Sequence, residues 1–347
     1  MKTREEITAT HFAITKCGYF VPFARKDAHL FGTTDSILSD LAAWSAGAEL
    51  VDTQTYSAGD EMLPTYLLDV KSAGGEYIVG TWNGSADASG NVLSVPAKAK
   101  VGAAQATSAS LPPGNIPGYA TYFWFRPKED QFSTIQFNGA LNGRQNLIAY
   151  TNAFMAKFDP THVVAKGSVK LDADVHRCIK GYRATLNDDA EVLSLEQAFP
   201  AFDSVLVRNE GRIKEIRRNL PLVHTIIRKE TIAATTAAGK SHLGGVLGVF
   251  GVDKVTSNEH EYRVRYQVKY RPSEHEFDAM VETYNSVQSN GWDDIGFMIS
   301  GRSSPLWLSG SMARTKVDLE IVRNGHVVDA GSLLKTLQLH RAELLKK

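Results

Sequence analysis

The ten residues Tyr262 to Arg271, YRVRYQVKYR, alternate without a break between apolar or aromatic side chains and cationic or polar ones. A period of two belongs to a strand, whose successive side chains point to opposite faces. Tyr262, Val264, Tyr266, Val268 and Tyr270 therefore share one side, and Arg263, Arg265, Gln267, Lys269 and Arg271 share the other. One face packs and the other is a cationic ladder. Residues two apart on such a face are ~6.6 Å apart, close to the spacing of phosphates along a nucleic-acid strand, so several charges meet one backbone in register. That arrangement suits binding without sequence preference. The alternative is a solvent-facing strand whose cations pair with nearby carboxylates.

More basic residues precede the ladder. RNEGRIKEIRRNL reads as a short helix carrying Arg212, Lys214, Arg217 and Arg218, the strand-like LVHTIIRKETI carries Arg228 and Lys229, and Lys240 follows. Consecutive elements usually neighbour one another, so these charges are expected near the ladder. Arg212 and Lys214 lie ~200° apart around a helix, so not every cation faces one groove. The net charge of zero hides this clustering. Residues 1–160 carry 12 Lys and Arg against 15 Asp and Glu, residues 161–272 carry 18 against 13, and residues 273–347 carry 8 against 10. An anionic partner should meet the middle of the chain.

A chain of 347 residues exceeds one ordinary core, and 43% hydrophobic with 22% charged residues is the composition of folded domains. The expected fold is α+β, two domains of mixed, mainly antiparallel sheet with flanking helices. The expected boundary follows FDPTH, Phe158 to His162, giving an N-terminal domain over 1–160 and a basic domain with a C-terminal helix over 161–347. No apolar run approaches the ~20 residues of a membrane span, and the polar MKTREEITAT lacks the apolar core of a signal peptide. Cys17 and Cys178 stand far apart, without a Cys-x-x-Cys pair, so a reducing cytoplasm is expected.

Along the first domain, HFAITK and ELVDTQTY read as strands around a helix with Ile37, Leu38, Leu41 and Trp44 on its apolar stripe and Thr33 or Thr34 as N-cap. TYLLDVKS and EYIVGTWN form a hairpin through Ala-Gly-Gly. Residues 84–118 are rich in Gly, Ala, Ser and Pro, which suggests a surface loop, lid or arm. Lys98 and Lys100 lie within it. The run Tyr122, Phe123, Trp124 and Phe125 reads as a strand buried on both faces rather than as a base-stacking surface. A helix with Leu147, Ile148, Thr151 and Phe154 on one side follows. In the second domain, SEHEFDAMVETYNSVQ is a helix, DIGFMISG and KVDLEIVRNGHVV are strands, and SLLKTLQLHRAELLKK is a final amphipathic helix.

Catalytic and ligand motifs are sparse. AAGKSHLGGVLGVFG, Ala237 to Gly251, contains Gly-Lys-Ser, but Ala234 stands where a P-loop needs its first glycine. Leu243, Val246, Leu247 and Phe250 instead trace the stripe of a short helix ending at Gly251. Asp60, Asp69 and Lys71 resemble the carboxylates and lysine of a metal-dependent nuclease, which is the alternative enzymatic function. His224, His242, His260 and His275 lack metal-ligand spacing. No catalytic residue, cofactor or metal is therefore expected.

The order of these elements resembles the RexA family of prophage exclusion proteins. The likeness runs through YATYFWF, VHTIIRKETI, LGVFGVDKV and YRVRYQVKYRP, then more weakly through DIGFMISG and RNGHVVDAGSLL. It covers about two thirds of the chain by order and spacing and carries no signature motif; the insertion over 84–118 departs from the family pattern. The resemblance implies a homodimer that binds double-stranded DNA without sequence preference on a basic surface. It further implies a sensor in phage defence, paired with a membrane-embedded effector. The expected contacts are Arg263, Arg265, Lys269 and Arg271, with Arg217, Arg218, Arg228, Lys229 and Lys240 around them. A non-catalytic adaptor using the 84–118 arm is the remaining alternative.

Overall fold

The computed structural model describes residues 2–22, 28–57, 63–85, 92–109, 114–137, 142–166, 178–187, 189–208, 210–233, 261–286, 294–311 and 313–345. The helix expected around Ala237–Gly251, with Lys240, lies outside the described residues, as does Asp60. The chain packs as two compact units, Met1–Val207 with Ala313–Lys347, and Arg208–Met312.

The first unit begins with β1 (Lys2–Phe20), β2 (His29–Phe31), α1 (Thr34–Ser45), β3 (Thr65–Ala73), β4 (Glu76–Gly84), β5 (Val92–Pro96) and β6 (Thr107–Ala109). It continues with β7 (Asn115–Arg126), β8 (Gln131–Phe137), α2 (Arg144–Lys157), β9 (Val163–Ala165), β10 (Ile179–Arg183), β11 (Val192–Leu193) and β12 (Phe199–Leu206). The second unit holds α3 (Glu210–Arg218), β13 (Val223–Ala233), β14 (Glu261–Val268), α4 (Glu274–Ser286), β15 (Asp294–Ile299) and β16 (Leu306–Trp307). The chain returns to the first unit with β17 (Arg314–Asn324), β18 (Val327–Val328), α5 (Ala330–Leu339) and α6 (Arg341–Leu344). The α+β class holds, and the ladders between the strands are antiparallel.

The boundary expected between residues 160 and 161 is corrected, because both residues belong to the first unit. The cause is β1. Its first half pairs with β17 and its second half with β12, both on the edge opposite β8. Where those two strands meet end to end, His11 N donates to Ala313 O (3.1 Å), Val207 N donates to His11 O (2.9 Å) and Ala313 N donates to Val207 O (3.0 Å). The second unit is thus a sequence insertion between β12 and β17, and the first unit's sheet draws on both ends of the chain. The polar N-terminus is part of that sheet: Ile7 and Ala9 are buried on one face, while Arg323 grips Glu5 (2.7 and 2.8 Å) and Lys316 meets Glu6 (3.0 Å).

Both faces of the large sheet are covered. On β7, Phe123 and Phe125 pack with Ile37, Leu38 and Leu41 of α1 and with Leu147, Tyr150 and Phe154 of α2. Tyr122 and Trp124 pack on the other side with Leu333, Leu334 and Leu337 of α5 and with Leu344 of α6. The aromatic run is a strand buried on both faces, as its composition implied. Thr33 caps α1 in a reciprocal box with Ser36. The β3–β4 hairpin turns through Gly74 and Gly75, whose positive φ values of 63° and 79° suit a two-residue turn.

Two expectations fail in this unit. ELVDTQTY is not a strand; Leu50–Thr53 forms a 3₁₀ turn, held where Thr53 Oγ1 donates to Leu50 O (2.6 Å) and accepts from Leu67 N (2.9 Å). Nor are the described parts of the 84–118 insertion a free arm. They form β5 and β6, with β5 paired to β7, and bury Val95, Ala104 and Ala106 with Trp82, Leu68 and Tyr66. Small residues permit this close approach: a Cβ on Gly118 would sit 2.1 Å from Asn83 O. Lys100 lies 3.9 Å from Glu49.

In the second unit the sheet order is β14-β13-β15-β16, with β14 at an edge among the described residues. Phe277 of α4 packs edge-to-face on Phe297 of β15, with ring centres 5.5 Å apart, so α4 covers the sheet side that carries Phe297. No helix among the described residues is long and apolar enough to cross a membrane.

Candidate functional site

Pleating and register decide which cations of the second unit meet. On β13 and β14, Lys229 stands directly opposite Arg265, Ile227 opposite Gln267, and Thr231 opposite Arg263. Directly opposed residues share a face, so Lys229 and Arg265 belong to one surface. Trp307 reaches the same surface from β16, where it lies opposite Gly296. A Cβ at position 296 would come within 2.8 Å of the indole, so glycine leaves the room this ring occupies. Lys229 Nζ sits 4.2 Å from the Trp307 ring centre and the Arg265 guanidinium 6.0 Å from it. Two cations therefore lie within cation–π range of one ring, a contact worth about 0.5–1 kcal/mol for each at an exposed site.

Asp294 adjoins this group, opposite Lys229 on β15. Its Oδ1 accepts from Ile295 N and Ser309 N, each at 2.9 Å. Burial nevertheless holds its carboxyl above the ordinary carboxylate range, against those hydrogen bonds and the nearby Lys229. The carboxylate thus accepts from backbone donors and also faces Lys229 across the ladder.

The other expected contacts divide. Arg265, Lys269 and Arg271 are exposed. β14 ends at Val268, so the last two lie just beyond it, and Arg271 Nε donates to Val223 O at 3.3 Å. Arg263 holds its place in the ladder opposite Thr231, but its side chain is outside the described residues. Arg228 is the correction on this strand: it neighbours Lys229 in sequence but opposes Tyr266, so pleating puts it on the other face. On α3, Arg218 is exposed, whereas Arg217 is engaged by Asp278 of α4 (2.6 and 3.2 Å), and its guanidinium holds that carboxyl below the ordinary range. Arg212 is likewise paired, with Glu215 at 3.0 Å. The basic residues thus form a strand-centred surface rather than one continuous patch.

Of the nuclease-like set, Lys71 Nζ lies 2.9 Å from Asp69 Oδ1, and Asp60 lies outside the described residues. A different cluster was missed by sequence reasoning. One ligand atom each from Asp40, Asp159 and His162 lie within 4.8 Å of one another in the first unit. Its local signal is the Asp-x-x-His of FDPTH; Asp40 comes from α1, far away in sequence.

No family model, curated protein or solved structure matches this chain.

Proposed function

We propose that this chain binds double-stranded DNA without sequence preference, through the surface of the second unit formed by Arg265, Lys229 and Trp307 and extended along the edge by Lys269 and Arg271. The observation that carries this reading is the pairing of Lys229 directly against Arg265, both beside the Trp307 ring. Like charges facing each other across a ladder repel. A polyanion relieves that repulsion, and phosphate oxygens reach cations placed along a strand edge without reading any base. Charge distribution agrees: residues 208–271 carry 13 Lys and Arg against 6 Asp and Glu, whereas residues 272–312 carry 1 against 6. The acidic residues follow the cationic strands, and two of them, Asp278 and Asp294, are already engaged by protein groups. By its resemblance to the RexA family, the proposal extends to a cytoplasmic homodimer that senses DNA in phage defence and acts with a membrane-embedded effector.

The test is the double charge reversal Arg265→Glu with Lys269→Glu, assayed on two duplexes of unrelated sequence. Both positions are exposed, so the melting temperature should stay within a degree or two while affinity falls equally for both duplexes. Unchanged binding by a folded variant refutes the surface, and unfolding reassigns these residues to structural ion pairs.

A further inference from the structure

We infer that Asp40, Asp159 and His162 form a binding site for one divalent first-row transition-metal ion, of the class of Zn2+ or Mn2+. The site lies wholly in the first unit and is independent of the DNA-binding surface. His162 is 4% exposed and Asp159 1% exposed. The imidazole is preset for ligation: Nδ1 donates to Arg183 O at 2.9 Å, which leaves the lone pair on Nε2. Nε2 is buried and has no hydrogen-bond partner among the described residues. A buried polar atom without a partner costs free energy that a ligand would recover.

The two carboxylates complete the donor set. Asp159 Oδ1 accepts from Thr161 N and His162 N, both at 3.0 Å, and its Oδ2 accepts from Tyr19 OH at 3.2 Å. Asp40 Oδ1 accepts from Thr161 Oγ1 at 2.9 Å. The same turn, Asp159–His162, therefore orients all three groups. No ion pair joins Asp40 or Asp159 to a Lys or Arg among the described residues. The two carboxylates and the imidazole converge on one another, and a dication supplies the counter-charge that such a pair of acidic groups needs. One imidazole and two carboxylates suit Zn2+, Mn2+ or Fe2+ better than a thiophilic ion. Ligands about 2.0–2.2 Å from a shared ion lie at most ~4.4 Å apart, so the observed spread closes with a small rotation of the half-buried Asp40. Three protein ligands leave further positions for water.

The full chain, stripped with chelator and dialysed, is titrated with zinc sulfate by calorimetry and with manganese chloride by electron paramagnetic resonance. The expected result is one ion per chain and a raised melting temperature. Asp40→Asn and His162→Gln should each weaken the ion by at least ~10-fold. Asp40 is partly exposed, so its variant remains informative even if His162→Gln does not fold. Failure of both ions to bind overturns the inference, as does binding whose affinity is the same in folded Asp40→Asn.

Discussion

Acidification should destabilise the fold through His11. His11 is 6% exposed and lies in a chain of hydrogen bonds: Nε2 donates to Leu344 O (3.0 Å), and Nδ1 accepts from Ser133 Oγ (2.6 Å), which itself accepts from Arg126 Nη1 (2.9 Å). Thr315 Oγ1 donates to the same Leu344 carbonyl at 2.9 Å. A second imidazole proton would face a hydroxyl already committed to a guanidinium. Burial first, and Arg126 second, accordingly push His11 down to about 4. In the unfolded chain it titrates near ~6.5, so between these values the unfolded state takes up a proton that the folded state refuses. The stability held by neutral His11 is therefore present above ~6.5 and is lost as pH falls toward 4. The full separation is worth about 3 kcal/mol, of which about 2 kcal/mol is lost by pH 5. Urea unfolding of wild type and His11→Gln at pH 7 and pH 5 measures this as the difference between their pH dependences, and an NMR titration of the ring reads the pKa directly. Equal pH dependence in the two proteins, or a ring that titrates near 6.5, refutes the argument.

Gly118→Ala places a methyl 2.1 Å from Asn83 O and 2.7 Å from Trp82 Nε1, and should cost at least ~1–3 kcal/mol in urea unfolding of the first unit. Gly296→Ala displaces the Trp307 ring and should lower the melting temperature and weaken DNA binding together; native affinity in that variant would show the ring to be irrelevant to the surface. Of the two thiols, burial pushes Cys17 up to about 12 while Cys178 is exposed, so native protein at pH 8 should release one equivalent of thionitrobenzoate from Ellman's reagent and denatured protein two.

Much of the fold was legible where local chemistry decides it. Thr33 before an apolar stripe gives α1, Gly74 and Gly75 give the hairpin, and the alternation ending at Val268 gives β14. The first ten residues were not legible as a strand, because their polar face is neutralised by β17 from the other end of the chain, and no local pattern reveals Arg323 beside Glu5. The same long-range pairing hid the discontinuous unit. At the cationic surface, the alternation placed Arg265, but Trp307 joins it only through the register of two further strands. Arg217 read as a free charge because Asp278 lies on another helix. Asp159 and His162 read as a domain boundary because their third partner, Asp40, is supplied by α1.

The most direct test of the DNA-binding claim is fluorescence anisotropy of two unrelated labelled duplexes at a series of salt concentrations, with wild type, Arg265→Ala and Arg217→Ala. The account predicts equal affinity for the two duplexes, falling with salt by about 0.9 in log–log slope for each phosphate neutralised. Arg265→Ala should reduce that slope by about 1, and Arg217→Ala, already held by Asp278, should change it less. No binding at low salt, or a slope that Arg265→Ala leaves unchanged, would contradict it.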